Sequence, residues 1–197
     1  MRYLDPEKLS RFFLDALDAA GMNRETSGYM IEGMIQTSLR GVDSHGIQMF
    51  PYYRQAIVDG RFNKHPEMRY AQTSPSTGTL AADHASGHHA GSVAMQKCIG
   101  MAKENGIGAV SVSESTHFGA AAYFGLRAAE ADCLGLATTM GTALVNPFAA
   151  KELFFGTNPL CFVAPLERES PLVIDMATSL SAWNRINNYA KEGKKIP

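Results

Sequence analysis

A change of hydrophobic period near residue 65 constrains the fold of this chain more than any other feature. Before that point apolar residues recur at helical spacing. Beyond it, short apolar runs alternate with helical patterns. Asp5-Pro6 reads as an N-cap followed by proline at the first helical position. Leu9, Phe12, Phe13, Ala16, Leu17 and Ala20 continue that helix, and Gly21 closes it. A second helix is expected from Asn23, with Met30, Ile31, Met34, Ile35, Ser38 and Leu39 on one face, and a third from Phe50 to Asp59-Gly60.

Residues 69–73 and 79–83 read as strands about a Ser74–Gly78 turn, followed by a helix centred on Val93–Ala102 that ends at Asn105-Gly106. Ile107–Val112 reads as a buried strand, Ala120–Ala131 as an alanine-rich helix and Leu134–Thr139 as a strand. Leu160–Ala164 and Leu172–Ile174 are further strands, and Leu180–Gly193 is a last helix. Strands alternating with helices after an all-helical opening imply an α/β protein. The expected division is a helical segment over 1–72 and an α/β portion over 73–197.

The charge is balanced, with 18 basic and 19 acidic residues and a net −1. No basic run interleaves with aromatics, so nothing points to a nucleic-acid partner. Residues 1–7 contain no apolar h-region and no run approaches membrane-spanning length. Cys98, Cys133 and Cys161 are isolated in apolar contexts, which fits a reducing, cytoplasmic compartment better than a disulfide framework.

Four stretches could carry chemistry. In Arg40-Gly41-Val42-Asp43-Ser44-His45-Gly46, His45 lies between a hydroxyl and a glycine just past a helix end. It reads either as a turn histidine facing solvent or as an oriented general acid/base. Ser115-Thr116-His117-Phe118-Gly119 follows a strand, where α/β folds place their sites, although His117 could equally cap the next helix. Gly156-Thr157-Asn158-Pro159 and Asp175-Met176-Ala177-Thr178-Ser179 offer backbone, hydroxyl and amide groups suited to phosphate or ribose, and also to ordinary turns and caps. The G-x-G-x-x-G fingerprint is lacking, since Gly106-Ile107-Gly108 precedes its strand without a third glycine. His84, His88 and His89 lack a completing ligand and read as surface or cap residues, so no metal is expected.

Taken in order and spacing, R-G-V-D-S-H-G, S-T-H-F-G, G-T-N-P-L and D-M-A-T-S resemble the type-2 malate/L-lactate dehydrogenase family, from the first helix to Ile196-Pro197. The resemblance implies a non-Rossmann α/β fold with a mixed-sheet cofactor domain, NAD or NADP as cofactor, a small 2-hydroxy or 2-oxo acid as substrate, and a homodimer. It makes His45 and His117 the acid/base pair, with either one as proton donor, and puts Ser44 and position 49 beside the substrate. It implies cofactor contacts at Gly141, Thr142, Thr157, Asn158, Pro159, Asp175, Met176, Ala177, Thr178 and Ser179.

Three departures accompany the resemblance. Position 49, four residues after His45, is Met49 where the family usually carries a carboxylate-binding arginine, and Arg40 and Arg54 lie nearby but out of place. A helix near Ala182-Trp183-Asn184-Arg185 stands where many members have a glycine-containing turn. Family members are also longer, so this chain is expected to lack a C-terminal portion. A non-catalytic paralogue that binds nucleotide or a partner subunit is therefore the competing expectation.

Overall fold

The computed structural model describes residues 3–195; Met1, Arg2, Ile196 and Pro197 lie outside the described residues. The order is α1 (Pro6–Ala19), α2 (Arg24–Leu39), two 3-10 turns (Asp43–His45 and Ile47–Met49) and α3 (Phe50–Val58). Then come β1 (Arg69–Ser74), β2 (Thr77–Ala81), α4 (Gly87–Asn105), β3 (Ala109–Ser113), α5 (Ala122–Glu130), β4 (Gly135–Thr138), β5 (Leu160–Ala164), β6 (Leu172–Met176) and α6 (Trp183–Lys191).

Capping chemistry sets the helical opening. The Asp5 carboxylate accepts from the Glu7 amide at 2.9 Å, and the Asn23 side-chain oxygen accepts from the Thr26 amide at 2.7 Å, each satisfying a helix N–H that has no carbonyl partner. Phe13, Leu17, Met30, Met34, Tyr53 and Ile57 form the core between α1, α2 and α3. Leu39, expected on the buried face of α2, is 65% exposed. The helix ends there, and Thr37 and Ser38, not Leu39, meet the turn that follows.

β1 and β2 pair antiparallel, and β3 joins β2 in parallel to make a mixed sheet. β1 runs across residues 72 and 73. The turn before β2 is tighter than expected, so β2 starts at Thr77. Leu80 and the alanines of α4 fill the core beneath this sheet. The expectation of a buried strand over Ile107–Val112 is corrected: Ile107 is exposed ahead of β3, and Ala109, Ser111 and Ser113 are open to solvent. β3 is an edge strand covered on one face only, and Val110 and Val112 supply that face.

β4, β5 and β6 form an antiparallel sheet with α5 on one side, where Cys161 and Val163 are buried against Ala121, Ala122 and Ala129. On its other side Leu136, Phe162 and Ile174 lie in register, flanked by Leu160, Met176 and Leu172, and all six are exposed. Arg127 on α5 donates to Glu32 on α2 at 2.6 Å and lies over the rings of Tyr29 and Tyr123, tying the helical opening to the α/β portion.

Two glycines test this packing. A Cβ at Gly108 would collide with the backbone carbonyl of Cys98, whereas one at Gly100, within α4, meets nothing. Gly108→Ala should destabilise the protein by about 1–3 kcal/mol. Gly100→Ala should stabilise it by roughly 0.5–1 kcal/mol through helix propensity. Urea unfolding of both variants checks the contrast.

Candidate active site

His45 is presented by a turn that α2 itself anchors. The chain leaves the helix at Gly41, with φ +78°, and the Val42 amide donates back to the Thr37 carbonyl at 3.1 Å. The Ser38 hydroxyl then accepts from the Ile47 amide at 2.9 Å, clamping the far side of the turn. Any side chain at Gly46 would strike that hydroxyl, so glycine after the histidine is a packing requirement. Ser44 Oγ lies 2.9 Å from His45 Nδ1 and fixes the ring's orientation.

His117 is delivered by the loop after β3. Thr116 Oγ1 donates to the Ala85 carbonyl at 2.9 Å and accepts from the Gly87 amide at 3.2 Å, pinning the loop to the start of α4. The His117 ring lies nearly parallel to that of His45, with 5.9 Å between centroids. Tyr53 Oη is 2.7 Å from His117 Nδ1. Behind the pair, His88 is fully buried among Tyr53, Tyr123, Gly33 and Gly119.

The expectation that His84, His88 and His89 are surface or cap residues holds only for His84. It is exposed with φ +55° outside the helix, while His88 and His89 are buried. α4 starts earlier than expected, at Gly87, and its first turn faces α2. There His89 Nδ1 is 3.0 Å from Thr26 Oγ1, and its ring stacks on Tyr29.

Burial favours the neutral imidazole throughout this cluster. It pushes His88 down to about 3, with His117 and His45 adding repulsion. It also pushes His117 down to about 4, again with repulsion from His45. His45 is lowered by burial too, against an opposing pull from Asp175.

His45 borders a cleft of about 900 Å³, walled by the α2 end and its turn, the first turn of α5, β6 with its following loop, and the start of α6. His117 stacks on His45 without lining the cleft, while Gly119, two residues further on, does line it. That volume is within the range of small-molecule and cofactor sites. Of the residues expected from sequence, Ser44, His45, Thr157, Pro159, Asp175, Met176, Ala177 and Ser179 line it. Asp175 accepts from the Ala122 amide at 2.8 Å, so its carboxylate caps α5 at the cleft wall.

Gly141, Asn158 and Thr178 are engaged in holding loops together. Asn158 Oδ1 accepts from the Gly141 amide at 3.0 Å, and the Thr178 hydroxyl donates to the carbonyls of Thr157 and Asn158. Thr142 is exposed, beside this clamp. Met49 packs on the helical core, and Asn184 Nδ2 donates to its sulfur at 3.2 Å and to the Ser44 carbonyl at 2.9 Å. Sequence reasoning missed Tyr53, His88, Ser181, Gln36, Asn188 and Arg185, whose places arise from contacts between distant elements.

Three comparisons complete the description. The malate/L-lactate dehydrogenase family model matches residues 4–197. Ureidoglycolate dehydrogenase (NAD(+)) of Escherichia coli K12 is 35% identical over 97% of this chain and 55% of its own length. L-sulfolactate dehydrogenase of Methanocaldococcus jannaschii is 31% identical over 98% of this chain and 56% of its own. The crystal structure of malate dehydrogenase from Entamoeba histolytica superposes with a TM-score of 0.95 at 31% identity, over all of this chain and 55% of that one. The α/β fold is therefore the one expected, and the chain spans little more than half the length of these relatives.

The buried neutral histidines link stability to pH. The folded values for His117 and His88 lie below the 6.5 of a free imidazole, so the unfolded chain takes up protons first as pH falls. Stability is fully present above about pH 6.5 and is lost as pH drops towards 4, at about 1.4 kcal/mol per pH unit for each histidine. Urea midpoints between pH 7 and 4.5 should fall accordingly; midpoints that stay flat would contradict the neutral burial.

Proposed function

This chain belongs to the malate/L-lactate dehydrogenase family, and on that premise we propose that it transfers hydride between a nicotinamide dinucleotide and a small 2-hydroxy or 2-oxo acid. The observation that carries this reading is His45 on the wall of a cleft large enough for both ligands, with the near-parallel imidazole of His117 stacked against it. Ureidoglycolate, sulfolactate and malate, named for the relatives, are all 2-hydroxy acids, and one name specifies NAD(+).

The donor set of the cleft suits a dinucleotide. Arg40 and Arg185 offer guanidinium groups for phosphate, and Gln36 and Asn188 offer amides for ribose or base. Ser181 Oγ lies buried on the cleft wall with no hydrogen-bond partner among the described residues. Bound there, the nicotinamide ring supplies the hydride donor or acceptor. NAD and NADP both fall within the reading, and the relative's name favours NAD.

The protein's own part is acid/base work and positioning. A hydroxy acid must lose its hydroxyl proton as its carbon gives up hydride, and the reverse reaction returns that proton. An imidazole that is neutral near pH 7 and held by a neighbouring hydroxyl, as His45 is by Ser44, can accept it. The second imidazole hydrogen-bonds the same substrate oxygen. The same proposal makes the protein a cytoplasmic homodimer. The three free thiols support the compartment, and the uncovered apolar face of β4, β5 and β6 supports association.

Titrating NADH and NADPH against the purified chain, with and without a panel of 2-oxo acids, tests the reading. Saturable binding with turnover is expected. His45→Ala should cut kcat/KM by about 10²–10⁴-fold while leaving nucleotide binding intact. Binding without turnover would favour a non-catalytic, nucleotide-binding paralogue, and no binding of either nucleotide would overturn the assignment.

A further inference from the structure

Two groups converge on one nitrogen of His117, and their chemistry fixes where its proton sits. The Gly119 backbone N–H reaches His117 Nδ1 at 3.4 Å, and Tyr53 Oη reaches the same atom at 2.7 Å. A backbone N–H can only donate. This long, weak contact marks Nδ1 as the acceptor, carrying a lone pair and no hydrogen, and makes the Tyr53 hydroxyl, at the much shorter distance, the donor that holds it so. The proton of the neutral ring then resides on Nε2.

Tyr53 is well placed to enforce this state. Its side chain is fully buried, its ring meets His88 and Phe62 edge-on, and His117 Nδ1 is the one side-chain partner its hydroxyl finds among the described residues. The opposite tautomer would set an Nδ1–H against the Gly119 N–H and deprive the Tyr53 proton of an acceptor in a dry site. Leaving a buried donor unpaired is costly enough to hold one tautomer in excess by about tenfold or more.

We infer that Tyr53 is a positioning residue that locks His117 as the Nε2–H tautomer, so that His117 presents a hydrogen-bond donor to the substrate oxygen and His45 takes the proton. The inference rests on the hydride-transfer reading above and divides labour within the histidine pair. In the oxidation direction the substrate carbon gives its hydride to the oxidised nicotinamide. The hydroxyl proton passes to His45, and the new carbonyl oxygen accepts from His117 Nε2–H. Reduction runs the same transfers backwards. Tyr53 touches neither substrate nor cofactor in this scheme.

The tautomer can be read without turnover, by long-range ¹H–¹⁵N correlation of the histidine rings in the intact chain at neutral pH. His117 should show a pyridine-like Nδ1 and a pyrrole-like Nε2. Tyr53→Phe, which keeps the ring and removes the donor, should shift His117 towards a mixture of tautomers. The remaining histidine signals serve to confirm that the variant is folded. A protonated Nδ1 in the unaltered chain would overturn the lock, and that measurement needs no variant. An unchanged His117 pattern in folded Tyr53→Phe would also overturn it. Where turnover is measurable, Tyr53→Phe should lower kcat by about tenfold or more with KM little changed. A chain that shows the expected tautomer but never turns over would sink the hydride-transfer reading and leave the lock standing.

Discussion

A buried imidazole whose ring nitrogens find no hydrogen-bond partner among the described residues holds the site together. His88 projects from the first turn of α4 into a space bounded by α2, α3, α5 and the loop after β3. Two of those elements approach closely enough that any side chain at Gly33 or Gly119 would overlap the ring. Tyr53 and Tyr123 close the remaining sides. Neither ring nitrogen bonds to a described residue, so the ring acts as a flat packing piece and its charged form is strongly disfavoured. Because Gly119 rests on His88, and His117 lies two residues earlier, the position of His117 follows from that of His88.

Small side chains then pin the loops that carry function. Ser38 clamps the His45 turn, Thr116 clamps the His117 loop, and Asn158 with Thr178 joins the loops that follow β4 and β6. A glycine stands against each clamp because the partner backbone or hydroxyl leaves no room for a Cβ: Gly46 against Ser38, Gly87 against the Thr116 carbonyl, and Gly156 against Gly141. Motifs that read as ligand-binding chemistry in the sequence are thus partly consumed in building the cleft. The proposed hydride transfer between two bound ligands would need such rigid first contacts, since misalignment of the reacting atoms is costly.

The helical opening could be read from the sequence because its determinants are local. Asp5, Asn23 and Gly106 cap helices through contacts within four residues, and the apolar repeat of α1 and α2 needs no tertiary information. The start of α4 escaped because Gly87-His88-His89-Ala90-Gly91 has weak helix propensity, and burial against α2 and α5 overrides it. Burial of β3 was overestimated from a run of apolar and β-branched residues that cannot say how many faces of a strand are covered. His45 and His117 stood out through their local context. Tyr53 did not, because its partner lies 64 residues away and nothing in Pro51-Tyr52-Tyr53-Arg54 marks one tyrosine over the other.

Two of the sequence departures meet in space. Asn184, in the first turn of α6, donates to the sulfur of Met49 and to the carbonyl of Ser44, so the start of α6 is fastened to position 49. Both partners are neutral, and a thioether packed on the helical core has no use for a carboxylate. The lysine and arginine charge on the cleft wall comes instead from Arg40, at the end of α2, and Arg185, one residue beyond Asn184. Asp43 and Asp175 stand on the same wall, so the field inside the cleft is divided, and a ligand's anionic groups are best accommodated near the two guanidiniums. The contact that fixes Met49 also fixes the start of the helix that bears Arg185, so one amide side chain sets both the packing at position 49 and the place of a guanidinium on the cleft wall.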